Sequence, residues 1–357
     1  MLMRGGTSKG AVFTAADLPS DDAERDELLL AVMGSPDARQ IDGLGGASPL
    51  TSKVAVVKPS DRADADVDYL FLQVSVDEAL VSDRQNCGNM LAAVAPFAIE
   101  RGLVPAAGHE AAPFAAVRVY MQNTGSLATA TVPLADGLPD YAGDTSIDGV
   151  PGTAAAVRLD FGGIAGGSCG ALLPTGDTLD TIDGLDVTLV DNGMPVVVLR
   201  AVDMGIEGTE SPADLEADDA LRGRLESIRL QAGRLMKLGD VAGTTVPKLT
   251  MVSPPAGKGD ISTRTFIPHR CHEAIGVLGA VSVATAALLP GSTASTVLRP
   301  GAAAGGTLSL EHPTGQFTAV IELDPGAHPP AVQRAGIIRT ARKIMDGTVY
   351  PAPRHRR

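Results

Sequence analysis

The sequence contains no tryptophan, and only 3% of its residues are aromatic. Its core must therefore be filled mainly by valine, leucine, alanine and isoleucine side chains. Hydrophobic residues make up 44% and charged residues 20% of the 357-residue chain, a balance that is typical of globular proteins and argues against disorder. A length prior of about 100 to 200 residues per domain predicts two domains.

Cysteines are also scarce, since the chain has only Cys87, Cys169 and Cys271. This odd number, spread widely along the sequence, argues against a disulfide framework and predicts reduced thiols. The chain has no apolar run of about 18 residues that could span a bilayer, and its first ten residues lack the apolar stretch of a signal peptide. We therefore expect a cytoplasmic protein with no membrane partner.

Positive charge is in deficit, because the formal net charge is −13. A nucleic-acid partner needs a basic face to contact its phosphates, so this charge argues against one. The same charge repels anionic substrates. Any site for an anion must therefore gather its own local cations.

Glycine and proline are abundant, at 41 and 25 residues, which indicates many turns and a sheet-rich fold. Segments that alternate or are rich in β-branched residues predict strands, mostly antiparallel, at 53–57, 69–76, 116–122, 127–132, 156–161, 186–190, 195–199, 248–252 and 317–323. Helical patterns are fewer and predict helices at 23–33, 89–101, 212–237, 272–289 and 332–343.

Two of the predicted helices, 89–101 and 272–289, are apolar on nearly all sides, and such helices are buried. Each follows a polar segment that contains a cysteine, Cys87 in the first case and Cys271 in the second. The two halves therefore look like two copies of one plan, a sheet wrapped on a core helix. The glycine-rich stretch 162–167 predicts a domain boundary near residue 166.

Cys87 lies at the predicted start of the first core helix. Unpaired N–H groups and the helix dipole at such a position stabilise a thiolate and bound carboxylates. A small buried core residue is the alternative.

Lys53 opens the apolar run 54–57. Burial there would lower the pKa of the amine and make it a general base. A solvated lysine at a strand edge is the alternative.

The segment 3–10, MRGGTSKG, combines cations, hydroxyl groups and backbone N–H groups in a turn that suits an anionic group. Its order of residues is not that of a Walker A loop, and a glycine-rich hairpin turn is the alternative.

The cluster of His269, Cys271 and His272 resembles a set of metal ligands, but no second cluster at zinc-like spacing completes it. We therefore predict no metal. Anion binding or acid–base work is the preferred role, and capping of the second core helix is the alternative. Cys169 is expected to be structural, because its segment lacks the G-x-S-x-G order of a nucleophile elbow.

Taken together, several motifs closely resemble those of the PrpF family. They are MRGGTSKG at 3–10, QIDGLGG at 40–46, LTSKV at 50–54 and QNCGN at 85–89, and the match continues through LLPTG at 172–176, the loop at 268–269 and the segment 341–349. Within the family, the chain is most similar to the 4-oxalomesaconate tautomerases and isomerases of gallate and protocatechuate degradation.

The resemblance implies the diaminopimelate-epimerase fold, an α+β arrangement of two similar domains. Each domain is then a largely antiparallel sheet wrapped around a central buried helix, with the active site in the interdomain cleft. The N-terminal domain would cover residues 1–166 and the C-terminal domain residues 167–333. The segment 334–357 would return to the N-terminal domain.

The resemblance also implies catalysis without a metal, pyridoxal phosphate or nucleotide, so no cofactor is expected. The family's catalytic lysine and cysteine match Lys53 and Cys87. By the same carry-over, the residues that hold the substrate carboxylates and the developing enolate would be Arg4, Thr7, Ser8, Lys9, Ser52, Asn86, Gly88, Asn89 and His269. The expected partner is a small polycarboxylate, and the expected assembly is a homodimer.

The resulting hypothesis is that neutral Lys53 removes a proton from an acidic carbon of 4-oxalomesaconate, and that Lys53 or Cys87 returns it at another position. Three alternatives remain open at this stage. They are a 2-methylaconitate cis-trans isomerase, a non-catalytic accessory protein for an iron–sulfur aconitase, and an amino-acid epimerase that uses Cys87 and Cys271.

Overall fold

The chain divides into two compact units, seen in a computed structural model that describes residues 1–84, 86–104, 112–324 and 326–351. The first unit consists of Met1–Gly162 and Ile338–Arg357, and the second of Gly163–Ile337. Domains with limits at residues 166 and 334 stay a prediction. No helix in the described part of the chain is long and apolar enough to cross a bilayer.

Strands outnumber helices in both units. In chain order the strands are β1 (Leu2–Gly5), β2 (Ser8–Thr14), β3 (Lys53–Pro59), β4 (Val67–Val74), β5 (Val81–Ser82), β6 (Phe114–Met121), β7 (Ser126–Ala135), β8 (Leu138–Pro139), β9 (Ala156–Phe161), β10 (Asp180–Ile182), β11 (Leu185–Asp191), β12 (Pro195–Arg200), β13 (Lys248–Ser253), β14 (Ile261–Phe266), β15 (Thr307–His312), β16 (Gly315–Leu323) and β17 (Val332–Met345). The α-helices are α1 (Asp22–Met33), α2 (Gly88–Glu100), α3 (Pro212–Ala217), α4 (Asp219–Leu235) and α5 (Val277–Leu288).

The strands of the first unit form a ring. β1 pairs in antiparallel fashion with β2 and with β17, while β3–β4, β6–β7 and β7–β9 are further antiparallel pairs. β2–β3 and β4–β6 are parallel, and each of these parallel pairs is bridged by a helix, α1 or α2, as a parallel connection requires. β9 also pairs with β17, which closes the ring.

Helix α2 is enclosed by these strands. Every residue from 90 to 98 is buried, and the helix contacts β1, β2, β3, β4, β6, β7, β8 and β9. A helix that is apolar on all sides is stable only where strands or helices cover all of its faces. The prediction of a buried helix at 89–101 is therefore confirmed.

The second unit has the same connectivity. From β11 to β17 its successive pairings are antiparallel, parallel, antiparallel, parallel, antiparallel and antiparallel, which is the order found from β1 to β9. Its buried helix, α5, contacts β11, β12, β15 and β16 and occupies the same place in the chain order as α2. The two units thus share one plan, and in each unit two of these pairings are parallel.

The helix predicted at 332–343 is wrong, because these residues lie within strand β17. The apolar spacing of this segment fits a helix, but its β-branched residues favour a strand. Long-range pairing with β1 and β16 decides the outcome.

Two other helix predictions had the wrong bounds. The helix predicted at 272–289 begins only at Val277, so Cys271 precedes it in an extended segment bridged to Phe266. The helix predicted at 212–237 is interrupted at Asp218, whose carboxylate accepts the Leu221 N–H and caps α4. A side chain that satisfies the first N–H groups of a new helix favours a break at that point.

Candidate active site

The hairpin formed by β1 and β2 packs directly against the start of α2. A Cβ atom added to Gly5 would lie 2.4 Å from the Asn89 carbonyl oxygen, and one added to Gly6 would lie 2.2 Å from Asn89 Oδ1. Gly6 also has a φ of 53°, which glycine adopts without strain. The two glycines therefore allow the hairpin to approach the helix terminus, and they place Thr7 and Ser8 beside it.

Cys87 directly precedes the first turn of α2 and has an extended backbone. Its carbonyl oxygen accepts the Leu91 N–H at 3.0 Å and the Tyr69 hydroxyl at 3.3 Å. Its Sγ lies 4.0 Å from Ser8 Oγ and makes no capping hydrogen bond. The thiol thus lies at the positive end of the helix dipole, where backbone N–H groups can bind an anion.

Lys53 is the first residue of β3 and is only 7% exposed. Its Nζ donates to Gln73 Oε1 at 2.7 Å and lies 5.1 Å from the centre of the Phe71 ring. Burial lowers the pKa of this amine below its ordinary value, and the charge of Cys87 opposes that shift. The structure therefore brings Lys53 and Cys87 into electrostatic contact and favours the neutral, basic form of the lysine.

Gln73 faces Lys53 across β3 and β4. Its Nε2 donates to the backbone oxygens of Ser52 and Pro49 at 2.9 and 3.1 Å, so its Oε1 is directed to the lysine. A neutral amide oxygen stabilises an ammonium less than a carboxylate would. Gln73 therefore positions the amine without holding it in its charged form.

Arg339 of β17 supplies a cation that the sequence analysis did not identify. It is 9% exposed, and its Nε donates to Asn89 Oδ1 at 3.0 Å. Burial lowers the pKa of Arg339 to about 10, and the charge of Cys87 opposes that shift. Asn89 in turn donates from Nδ2 to Thr7 Oγ1 at 3.0 Å, so Arg339, Asn89 and Thr7 form a connected polar chain beside Cys87.

A strand prediction for the segment 332–343 would have identified this arginine. In β17 the residues at 335–337 and 339–341 are buried, and a cation among such positions requires a polar partner. The helix prediction for 332–343 hid this pattern, because it did not place Arg339 among buried strand positions.

Three other predicted site residues lie next to Lys53 or Cys87 in the sequence. Ser52 is fully buried and accepts the Gln40 Nε2–H at 2.7 Å. Asn86 accepts the Cys87 N–H at 2.8 Å, and its Nδ2 lies 2.7 Å from Met121 Sδ. Gly88 is the first residue of α2 and contributes a backbone N–H.

Arg4 and Lys9 are in register with each other across the β1–β2 hairpin. Successive side chains of a strand point to opposite faces. Because Gly5 faces α2 and Ser8 approaches Cys87, Arg4 and Lys9 lie on the other face of the hairpin. The structure therefore does not bring Arg4 together with Lys53 and Cys87. Lys9 instead places its Nζ beside Gly46 and Thr51, in the loop that leads to Lys53.

The remaining predicted residue, His269, belongs to the second unit. Its side chain is 59% exposed, and its Nδ1 lies 3.8 Å from Glu226 Oε2. Nearby Cys271 is buried, which raises the pKa of its thiol to about 11, and its N–H donates to Glu216 at 3.0 Å. In the described ranges, no three residues among histidine, cysteine, aspartate and glutamate are arranged to hold a metal ion.

Cys169 and the motif at 40–46 have structural roles. Cys169 is buried in the core cluster of the second unit, and burial raises the pKa of its thiol to about 12.

In the motif at 40–46, Gln40 donates to Ser35 and Ser52 and accepts the Ala47 N–H. Gly45 leaves room for the Gln40 side chain, since an added Cβ would lie 2.2 Å from it. The motif thus holds the loop that leads to Lys53.

These side chains provide the parts of a proton-transfer site. A neutral lysine amine and a cysteine thiol are groups that can accept or donate a proton, and hydroxyl groups, helix N–H groups and an arginine can donate hydrogen bonds to an anion. A carbon acid bound among them would lose and regain a proton without leaving the site.

Comparison with known proteins gives full-length matches. A family model described as PrpF protein matches residues 1–352. The chain is 57% identical over 350 residues to the (4E)-oxalomesaconate Delta-isomerase of Novosphingobium sp. (strain KA1), covering 98% of this chain and 96% of the relative. It is 57% identical over 349 residues to the 4-oxalomesaconate tautomerase of Pseudomonas putida KT2440, covering 98% and 94%.

A solved structure is also similar over the whole chain. The crystal structure of methylitaconate-delta-isomerase superimposes with a TM-score of 0.85 at 36% sequence identity. The match covers 100% of this chain and 98% of that one.

Proposed function

Because this chain belongs to the PrpF family, we propose that it is an isomerase that moves a proton and a double bond within 4-oxalomesaconate. Two relatives at 57% identity are named for reactions of this acid. The observation that carries the proposal is the pairing of buried Lys53, hydrogen-bonded to a neutral amide, with Cys87 at the start of α2.

Lys53 acts as the base. Its lowered pKa leaves a larger fraction of neutral amine at physiological pH than an exposed lysine has. The amine takes a proton from a carbon next to a keto group or from an allylic carbon. The electrons of the broken C–H bond are then delocalised into a dienolate.

Donors near Cys87 stabilise the negative charge of this dienolate and of the substrate carboxylates. These donors are the hydroxyl groups of Thr7 and Ser8, the amide of Asn89 and the backbone N–H groups that begin with Gly88. Arg339 adds a positive charge to the same region. Removing one such donor from an oxyanion site typically costs about 3 to 4 kcal/mol of transition-state stabilisation.

The proton returns at a different atom of the delocalised anion. Return from Lys53 or Cys87 to oxygen gives the enol tautomer, whereas return to a distant carbon gives a 1,3-allylic shift. When Cys87 returns the proton, the proton held by Lys53 passes to the thiolate to restore the starting state. In both cases the proton count and the oxidation level are unchanged, so the reaction needs no redox partner.

The remaining features of the assignment are part of the same proposal. We infer two similar diaminopimelate-epimerase-like domains, which the shared connectivity of the two units supports. The interdomain position of the active site, the contribution of His269, the homodimer and the cytoplasmic location stay predictions from the resemblance and the composition.

Turnover of 4-oxalomesaconate, followed by ultraviolet absorbance with purified, chelator-treated protein, tests the proposal. Lys53→Ala should lower kcat by about 10²- to 10⁴-fold, the typical contribution of a general base. Lys58→Ala is the matched control, because Lys58 lies on the same strand with its side chain 45% exposed. It should retain wild-type turnover.

Other outcomes would reassign the function. Preferential turnover of 2-methylaconitate would change the substrate but keep the chemistry. If neither acid were converted by a folded protein, the isomerase proposal would fail and a non-catalytic accessory role would be favoured.

A further inference from the structure

Three cations lie side by side on the sheet face of the first unit that is opposite α2. In the strand register, Arg4 of β1 is directly across from Arg342 of β17 and from Lys9 of β2. Directly opposite residues of an antiparallel pair have Cβ atoms roughly 4.5 to 5.5 Å apart. Arg342, Arg4 and Lys9, the cation row, therefore concentrate like charges in a chain whose net charge is −13.

No acidic side chain in the described part of the chain forms an ion pair with the cation row. Several other arginines of this unit have such a partner, as Arg101 has in Asp346, at 2.5 Å. Like charges directly opposite each other destabilise a sheet. An anion bound from outside the chain would offset this repulsion.

Arg4 is held in a fixed position within the row. Its Nη1 donates to the carbonyl oxygens of Gly6 and Thr340 at 3.0 Å and to Thr340 Oγ1 at 2.9 Å. Its Nε and Nη2 have no hydrogen-bond partner among the described residues. Burial, and then the charge of Arg342, lower the pKa of Arg4. The guanidinium is thus held in place by Nη1, and its Nε and Nη2 remain available to donate to a ligand.

A cavity of about 450 Å³ lies at these two arginines. Arg4, Arg342 and Thr340 line it together with apolar side chains that include Ile147 and Val150. Neither of the proposed catalytic residues contributes to this lining. The cavity therefore lies on the opposite side of the loop at 147–152 from Thr7, which this loop also contacts, and it combines two guanidinium groups with an apolar wall.

We propose that this cavity is a second binding site, for a small organic acid whose carboxylate lies between Arg4 and Arg342. Two guanidinium groups match the geometry of a carboxylate and bind it with charge-assisted hydrogen bonds. The carbon skeleton of the acid packs on Ile147 and Val150, which an inorganic anion would leave exposed. This site accounts for Arg4 without a role in the proton transfer and does not depend on the proposed function.

Calorimetric titration with benzoate, succinate and inorganic phosphate tests the site, with ionic strength held constant by sodium chloride. The variant is Arg342→Gln, and the matched control is Arg234→Gln, which removes an exposed arginine from α4 in the second unit. Lys53→Ala is titrated in parallel, because organic acids also bind at catalytic sites that accept carboxylates.

We expect the wild type, Arg234→Gln and Lys53→Ala to bind an organic acid with equal affinity, and Arg342→Gln to bind it at least about tenfold more weakly, the loss of one charge-assisted contact. Without oxyanions, Arg342→Gln should melt at or above the wild-type temperature, because like-charge repulsion is removed. Binding that is lost in Lys53→Ala but kept in Arg342→Gln would place the ligand at the catalytic site and overturn the proposal. Binding of phosphate alone, or an equal response of all variants, would also overturn it.

Discussion

Arg339 donates a hydrogen bond to the side chain of Asn89 at 3.0 Å, although the two residues are 250 positions apart. Asn89 lies in the first turn of α2, two residues beyond Cys87. The contact exists because β17 returns to the first unit and pairs with β1. The candidate site is therefore completed by the C-terminal strand, and its charge balance depends on a residue far from the catalytic motifs.

Removing the charge of Arg339 should reduce catalysis more than folding. We expect Arg339→Gln to lower kcat by about 100-fold, the effect of losing one preorganised donor to a developing anion, with a smaller change in KM. Arg339→Lys should restore part of the activity because it retains the charge. The alkylation rate of Cys87 by iodoacetamide should fall in Arg339→Gln, because the electrostatic interaction between Arg339 and Cys87 is lost.

The matched control is Arg334→Gln on the same strand, where the arginine pairs with Glu322 at 2.9 Å. It should leave both kcat and thiol alkylation unchanged. An Arg339→Gln protein with unaltered kcat and alkylation but a lower melting temperature would show that Arg339 is purely structural.

Replacing the neutral partner of Lys53 by an acid should shift the pH–rate profile. Activity requires the neutral amine, so kcat/KM should rise with pH through the pKa of Lys53, which burial holds below its ordinary value. Gln73→Glu places a carboxylate beside Nζ and stabilises the ammonium, so the rising limb should move up by about 1 to 3 pH units. At neutral pH the variant should therefore be slower.

Gln333→Glu adds the same charge at an exposed position of β17 and should leave the pH–rate profile in place. A shift of equal size in both variants would mean that the net charge of the protein, rather than the contact with Lys53, sets the pH at which kcat/KM rises. If kcat/KM of Gln73→Glu rises at the same pH as that of the wild type, Lys53 is not the base.

The close approach of Gly6 to Asn89 predicts a difference between two glycine substitutions. Gly6→Ala places a Cβ 2.2 Å from Asn89 Oδ1 at a φ of 53°, whereas Gly102→Ala has a similar φ of 63° and meets no atom within 4 Å. Both should lose roughly 1 to 3 kcal/mol of stability through left-handed backbone strain. Only Gly6→Ala should also lower kcat, because Asn89 and Thr7 must move. Thermal unfolding and turnover of both variants test this, and equal kcat values would contradict it.

The predictions from sequence succeeded where a local pattern had one structural solution. The apolar residues at 90–98 form the predicted buried helix. Lys53 at the start of an apolar strand is buried, as a lysine with a pKa lowered by burial requires, while its catalytic role stays a prediction. The hairpin of β1 and β2 was only the alternative for the segment 3–10, and strand β17 was not predicted, because its pairing partners are distant in sequence. Arg339 and the separation of Arg4 from Ser8 follow from that pairing, and no local pattern reveals them.

Cys271 provides the test that separates an isomerase from a two-thiol epimerase. Burial raises the pKa of its thiol to about 11, so at neutral pH the thiol is protonated and cannot serve as a base. An epimerase that uses two thiols must alternate between base and acid at both of them, which this environment opposes. We therefore expect Cys271→Ala to retain wild-type turnover of 4-oxalomesaconate, as should the buried control Cys169→Ala, while Cys87→Ser loses it. Loss of turnover in a folded Cys271→Ala protein, with Cys169→Ala still active, would instead make Cys271 a proton donor and the reaction a two-thiol one.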